Sequence, residues 1–176
     1  MLMRAPRRFL LLGLIALLTA CGFHVRGAYD FPFDTLFISQ PSNTPIYSRI
    51  KQGIESASRK THVVTDSKEA AATLVVISDM KEKNILSLSS AGRVLEYELV
   101  RRFRFRIDAR DGGHYIAPTQ ITIRREMTYN DTLVLSKDAE EALLWRDIEN
   151  DLVTQLLRRM SAATLQPRDD DDANTF

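Results

Sequence analysis

The segment LEYELVRRFRFRIDA, residues 95–109, decides the fold. Leu95, Tyr97, Leu99, Phe103, Phe105, Ile107 and Ala109 share one parity, and Glu96, Glu98, Arg102, Arg104, Arg106 and Asp108 share the other. Successive side chains of a strand point to opposite faces, so this is a long strand with one buried face and one wet face. A slip of one residue would turn the aromatic rings outward, which ties the register to the pattern.

Immediately downstream, Asp111-Gly112-Gly113 supplies residues that tolerate positive φ, and the chain is predicted to reverse there into a hairpin. The return strand covers about residues 114–129, with Ile121, Ile123, Met127 and Tyr129 as its apolar parity. Pro118 cannot donate a ladder hydrogen bond, so the first half of that strand is expected at an edge or in an irregular stretch. Upstream, Thr73 to Ile77 is rich in β-formers, Lys81-Glu82-Lys83 interrupts, and Ile85, Leu86 and Leu88 resume the pattern. A strand with a bend is expected, closed by a turn over Ser87 to Gly92.

Farther out, Leu36-Phe37-Ile38 reads as a first strand. Thr44 followed by Pro45 is a cap with proline at the first helical position, and Ile46, Ile50, Ile54 and Ala57 set an amphipathic helix over about residues 45–59. His62 to Thr65 is expected as a short strand end and Asp66 to Ala72 as a helical turn. At the other end, Leu133 to Leu135 is a short apolar run before a long helix predicted from Asp138 to Leu165. Ser136 or Asp138 is its expected cap, Asp138 and Glu141 have capping-box spacing, and Leu144, Ile148, Leu152, Leu156 and Met160 form its stripe, widened by Trp145, Val153 and Ala163. Two helices and about four strands of mixed direction predict an α+β two-layer sandwich, with both helices on one sheet face. The other face is left to solvent or to a partner.

The 176 residues, 44% hydrophobic and 27% charged, suit one ordinary domain and exclude both a pair of catalytic domains and a chain too polar to form a core. Lys plus Arg is 24 against 23 Asp plus Glu, a balance that argues against a nucleic-acid binder. A single cysteine excludes an internal disulfide and cysteine-based zinc clusters. His24, His62 and His114 have no ligand spacing, Gly112-Gly113 lacks the Lys-Ser or Lys-Thr of a phosphate loop, and Ser89-Ser90-Ala91-Gly92 lacks nucleophile-elbow spacing. No catalytic residue, metal site or cofactor is therefore expected, and the chain is read as a non-enzyme. On the wet strand face, Arg102, Arg104, Arg106 and Arg110, with Arg124 on the return strand beside them, could grip phosphates or carboxylates, or could simply discourage edge aggregation.

Near the amino end, Arg4, Arg7 and Arg8 precede an apolar run from Phe9 to Leu18, the layout of a secretory signal peptide. Ten helical residues rise about 15 Å, roughly half the hydrocarbon thickness and too little for a permanent span. The run ends in Leu18-Thr19-Ala20-Cys21, which resembles the bacterial lipobox. That resemblance implies cleavage before Cys21, diacylglycerol on its thiol and an acyl chain on its freed amine, a covalent lipid that anchors the protein durably. Gly22 stands where Asp would signal inner-membrane retention, which implies the outer membrane, with the chain on its periplasmic side. Removal of residues 1–20 leaves 21 basic and 23 acidic groups. The expected organisation is a signal peptide over 1–20, a domain over 21–167 and an acidic disordered tail over 168–176.

With the lipobox placed, Leu18-Thr19-Ala20-Cys21-Gly22-Phe23-His24-Val25-Arg26-Gly27 resembles the start of the LptE family of lipopolysaccharide-assembly lipoproteins. The resemblance continues in Gly92-Arg93-Val94-Leu95-Glu96-Tyr97, in Ser136-Lys137-Asp138-Ala139-Glu140-Glu141 and in Gln155-Leu156-Leu157-Arg158-Arg159-Met160, covering about residues 18–165. It implies a plug inside the β-barrel LptD, the two forming the translocon that inserts lipopolysaccharide into the outer leaflet of the outer membrane. It also implies lipopolysaccharide binding, with Lys137, placed in the loop before the last helix, as first contact candidate and Arg93 as second. Arg102, Arg104 and Arg106 are weaker candidates, and Ser90 stands where relatives can carry a basic residue. The alternative is an outer-membrane-anchored periplasmic lipid or lipoprotein carrier, which would need an apolar cavity.

Overall fold

The computed structural model describes residues 29–167, so the expected leader, Cys21 and the acidic tail lie outside the described residues. β1 (Thr35–Ile38), α1 (Pro45–Ala57) and β2 (His62–Val64) form a crossover unit in which the two strands run parallel, Thr35 opposite His62. A short 3-10 turn at Ser67–Glu69 leads into β3 (Ala72–Leu88), whose first residues pair parallel with β1. β4 (Val94–Ala109) and β5 (His114–Thr128) then add antiparallel, and a second 3-10 turn, Asp131–Leu133, runs into α2 (Val134–Ser161). The sheet order is β2-β1-β3-β4-β5, which sets β4 between two long partners and β5 at the edge that Pro118 requires.

This is the expected α+β two-layer sandwich with five strands in place of about four. The fifth is β2, three residues long, where a short strand end is expected over His62 to Thr65, and the α1 crossover brings it parallel to β1. Gly112 and Gly113, at φ 92° and 87°, make the β4–β5 reversal as predicted. The bend in β3 comes with three register shifts, between Val76 and Ser78, between Ile85 and Ser87 and between Ser87 and Leu88. Lys81-Glu82-Lys83 does not interrupt the strand: these residues pair in register with Arg101, Val100 and Leu99.

Both helices lie on the face that carries the odd-numbered residues of β4. Leu99, Phe103, Phe105 and Ile107 are fully buried there with Leu36, Ile38, Leu74 and Ile121, under Ile50 and Ile54 of α1 and Ile148, Leu152, Leu156 and Met160 of α2. Thr44 caps α1 by accepting from the Tyr47 amide at 3.4 Å, and Pro45 opens it. Where α1 meets α2, a Cβ on Gly53 would stand 2.8 Å from Val153 Cγ1, so the absence of a side chain sets how closely the helices approach.

α2 begins four residues before the expected start at Asp138 and ends at Ser161, short of the expected Leu165. Neither Ser136 nor Asp138 caps it. The Asn130 carboxamide accepts from the Thr132 amide at 3.0 Å and caps the 3-10 turn, which passes directly into the helix and supplies its first turn. Ala163 falls beyond the helix.

Candidate functional site

The helix-free face of the sheet carries the even-numbered residues of β4. Arg102 donates to the Glu82 carboxylate, Arg106 to Asp108 at 2.9 Å and Arg124 of β5 to Glu98 at 3.2 Å. Asp108 also receives His114 Nδ1 at 2.8 Å. The Arg102 hydrogen bond holds the Glu82 carboxyl below the usual carboxylate range. Val100, although of the wet parity, is fully buried, and it lies in register between Glu82 and Arg124, long side chains able to cover a small neighbour with their stems. This surface is therefore a mesh of guanidinium–carboxylate pairs. Arg102 and Arg106 already have partners, while Arg104 is exposed and makes no ion pair among the described residues.

At the end of the sheet where β3 turns into β4, the other two candidates are found. Arg93 is exposed in the turn, where its amide donates to Ser89 Oγ at 3.1 Å, and its side chain makes no ion pair among the described residues. Lys137 is not in a loop but in the first turn of α2, because the helix starts early. Its amine donates to Glu140 at 2.7 Å and to Thr128 Oγ1 at 3.1 Å. Thr128 pairs with Glu96, three residues along β4 from Arg93, so the Arg93 and Thr128 backbones are about 11 Å apart by strand rise and spacing. The fold thus brings the two candidates to one end, and leaves Arg104 and Arg106 on the outer face toward the other.

Nearby, on the helix side, Lys83 donates to Glu141 of α2 at 2.6 Å and lies 4.3 Å from the Tyr97 ring centroid. Tyr97 packs edge-to-face on Tyr129. The Glu141 bond raises the Lys83 amine above its usual range. Burial pushes Glu141 upward, yet hydrogen bonds from Lys83 and Trp145 leave it below the usual carboxylate range.

One functional-looking residue escaped the sequence reading. Arg101 has the apolar parity of β4, between Leu99 and Phe103, and is 2% exposed. A charge at an inward position of an otherwise apolar series was the signal that could have found it. Among the described residues there is no group of three or more potential metal ligands, and no helix long and apolar enough to cross a membrane.

The family comparison decides the class of protein. The sequence model described as LptE, lipopolysaccharide-assembly, matches residues 33–160, from the strand before α1 to the last turn of α2. This chain belongs to the LptE family. It is a family of lipopolysaccharide-assembly lipoproteins associated with the outer membrane, and not a known enzyme family. The LPS-assembly lipoprotein LptE of Pectobacterium atrosepticum is 28% identical over 155 residues, which is 86% of this chain and 83% of that one. Lipoprotein B from Nitrosomonas europaea, solved by NMR, is 33% identical with a TM-score of 0.70, over 80% of this chain and 91% of that one. Rare lipoprotein B from Shewanella oneidensis, a crystal structure at 23% identity and TM-score 0.62, shares the fold over 73% of this chain and 94% of its own. The LptE match thus covers both sheet faces, Arg93 and Lys137.

Proposed function

We propose that this protein is anchored by lipid on Cys21 to the periplasmic side of the outer membrane, plugs and helps assemble the LptD β-barrel, and binds lipopolysaccharide as part of the translocon that inserts it into the outer leaflet. The observation that carries the reading is the helix-free sheet face. A long surface of paired charges has no helix over it among the described residues, and the interior of a large outer-membrane barrel is polar. Ion pairs of this kind present both donors and acceptors with their charges already compensated, and Arg104 stands beside them without an ion pair among the described residues.

Lipopolysaccharide carries phosphates and acidic sugars, and Arg93 and Lys137 are fixed cations on one end of the domain. A guanidinium binds a phosphate bidentately, whereas the Lys137 amine would exchange its Glu140 partner for one. Their position beside the outer face lets one domain fill a lumen and touch a passing amphiphile. The proposed domain organisation remains a leader over 1–20, a lipidated domain over 21–167 and an acidic tail.

The reading is tested by affinity purification of the tagged protein from detergent-solubilised membranes, with mass spectrometry of what accompanies it. A large β-barrel in about one-to-one amount is expected. Recovery of the lipidated protein alone would overturn the plug and favour an anchored carrier, although the groove between α1 and α2 is an open one of mixed lining, with Arg49, Gln52, Asn150 and Thr154 beside Val153 and Leu157.

A further inference from the structure

After α2 the chain runs onto the edge of β5. Gln166 and His114 exchange both backbone hydrogen bonds, His114 donating at 3.0 Å and Gln166 at 2.8 Å, an antiparallel pair that sets Gln166 in one row with His114 and Asp108. Antiparallel pairing carries the residues after Gln166 past His114 toward the Gly112-Gly113 reversal, and not back along β5. The sequence continues there as Arg168-Asp169-Asp170-Asp171-Asp172, a net charge of −3 from one base and four acids.

The helix-free face is unevenly charged along its length. Toward the β3–β4 turn, Arg102 and Arg124 have Glu82 and Glu98 as partners. Toward the reversal, Asp108 is shared by Arg106 and His114. Arg104 stands in register between Ser78 and Gln120, neither of them acidic, and the exposed Arg110 directly follows β4. Neither arginine makes an ion pair among the described residues. Other exposed arginines share that lack, but the tether selects between them. By strand rise and spacing, the Arg110 and Arg104 backbones are about 12 and 16 Å from Gln166, while Arg93 is about 50 Å away along β4. Three to six extended residues reach about 10–20 Å, the span of residues 169–172 beyond Gln166.

We infer that the aspartates of residues 169–172 fold back onto the reversal end of the helix-free face and pair with Arg104 and Arg110. The tail is then an intramolecular cover, which any other anionic group must displace from those two cations. Exposed ion pairs are individually weak, but a short tether holds the acids at an effective concentration in the millimolar range. The cover belongs to the free protein and stands independently of the barrel and lipopolysaccharide readings.

The test is zero-length carbodiimide cross-linking of the purified full-length protein in detergent, which joins a carboxylate to an amine in contact with it, read by mass spectrometry of the peptides. Arg104→Lys and Arg110→Lys keep each charge and supply the amine. Lys60 and Lys68, exposed at the same end of the sheet, are the amines an undirected tail would also meet. Cross-links from positions 104 and 110 to residues 169–172 are expected about fivefold or more above those from Lys60 and Lys68. They are expected within one chain when light and heavy-isotope protein are mixed, and to fall at about 0.5 M salt. At the native arginines, the variant Asp169→Asn/Asp170→Asn/Asp171→Asn/Asp172→Asn is expected to raise the reactivity of Arg104 and Arg110 toward phenylglyoxal about threefold and to leave Arg93 unchanged. Equal cross-linking to Lys60 and Lys68 would reduce the tail to an undirected polyanion. Cross-links only between chains would assign the contact to a second copy. Unchanged phenylglyoxal reactivity would remove the contact at the native arginines. Each of these three results overturns the cover.

Discussion

Arg101 grips Asp79 across two strands, Nε and Nη2 donating to the two carboxylate oxygens at 2.9 and 2.7 Å, beneath α2 and inside the otherwise apolar layer. Its remaining Nη1 lies 3.7 Å from Glu149 of α2, too far for a hydrogen bond, and is buried without a partner. Glu149 in turn lies 3.8 Å from Arg49 of α1. The chain of charges therefore joins β3, β4 and both helices at one point.

Removing one member of that chain strands a buried charge. Asp79→Ala is expected to destabilise the domain by about 2–4 kcal/mol, at the lower end because Asp79 is itself partly exposed and Glu149 remains nearby. Adding Arg101→Met should recover most of the loss, since a methionine fills the guanidinium's space with no charge to compensate. Urea unfolding of the two single variants and the double variant checks this; a double variant less stable than Asp79→Ala would show that the arginine still stabilises without Asp79, through Glu149 or its own packing.

Gly53 offers a sharper sign test. In the native background, Gly53→Ala gains about 1 kcal/mol of helix propensity but drives a methyl into Val153, and a net loss of about 1 kcal/mol is expected. In a Val153→Ala background the 2.8 Å contact is gone and the 3.3 Å approach to Leu157 Cδ1 remains, which a side-chain end relieves by a small shift, so the same change should stabilise. Thermal or urea midpoints of the four proteins settle it, with coupling between the sites as the readout.

How far these features could be read beforehand follows from how local their causes are. Strict alternation over 95–109, the Thr44-Pro45 helix start, the Gly112-Gly113 reversal and the edge role of Pro118 each depend on a few neighbouring residues, and each appears in the structure where expected. β2 is expected as a short strand end, but its pairing depends on a partner strand that a helix crossover brings alongside, and the start of α2 depends on a 3-10 turn capped by Asn130, so neither that pairing nor that start is legible in a periodicity. Arg102 and Arg106 looked like free cations because their partners, Glu82 and Asp108, are assigned only by strand register and side-chain geometry. The loop expected at Lys137 follows from the late start expected for α2, since the residues that begin the helix carry no cap of their own.

The Lys83–Glu141 bridge predicts a pH dependence of defined sign. Glu141 titrates below its unfolded value, so its contribution is present above the ordinary carboxylate range and is lost as pH falls through its lowered folded value. Lys83 titrates above its unfolded value, so its contribution is present below the ordinary lysine range and is lost as pH rises through the raised one. Both groups are partly exposed, which limits the bridge to about 0.5–1 kcal/mol. Glu141→Gln should therefore lower the urea midpoint at pH 7 and narrow its gap from wild type as pH falls toward 3. A gap independent of pH would assign the loss to the Trp145 hydrogen bond instead.

Cys21→Ala tests the anchor separately from the domain. The thiol is the only atom that can accept diacylglycerol, so the variant is expected as a soluble or inner-membrane-retained precursor with the leader still attached. Fractionation of membranes, with the mass of the amino-terminal peptide, reads both. Outer-membrane recovery of the variant in wild-type amount would sink the lipobox reading.

Charge reversal at the Arg93 end separates ligand contact from barrel contact. Lys137 lies in the first turn of α2, where the helix amino end favours negative charge, so Lys137→Asp is not expected to disturb the helix by its sign. It does remove the bonds to Glu140 and Thr128, which are partly exposed and contribute about 0.5–1 kcal/mol to stability. Lys137→Asp together with Arg93→Asp should lower lipopolysaccharide affinity by roughly tenfold or more, because two fixed cations become anions facing phosphates. Copurification with the barrel should stay at wild-type level, since the paired charges of the helix-free face are untouched. Unchanged lipopolysaccharide binding would reduce both residues to solvated surface. A parallel loss of barrel would place this end of the domain against the barrel wall.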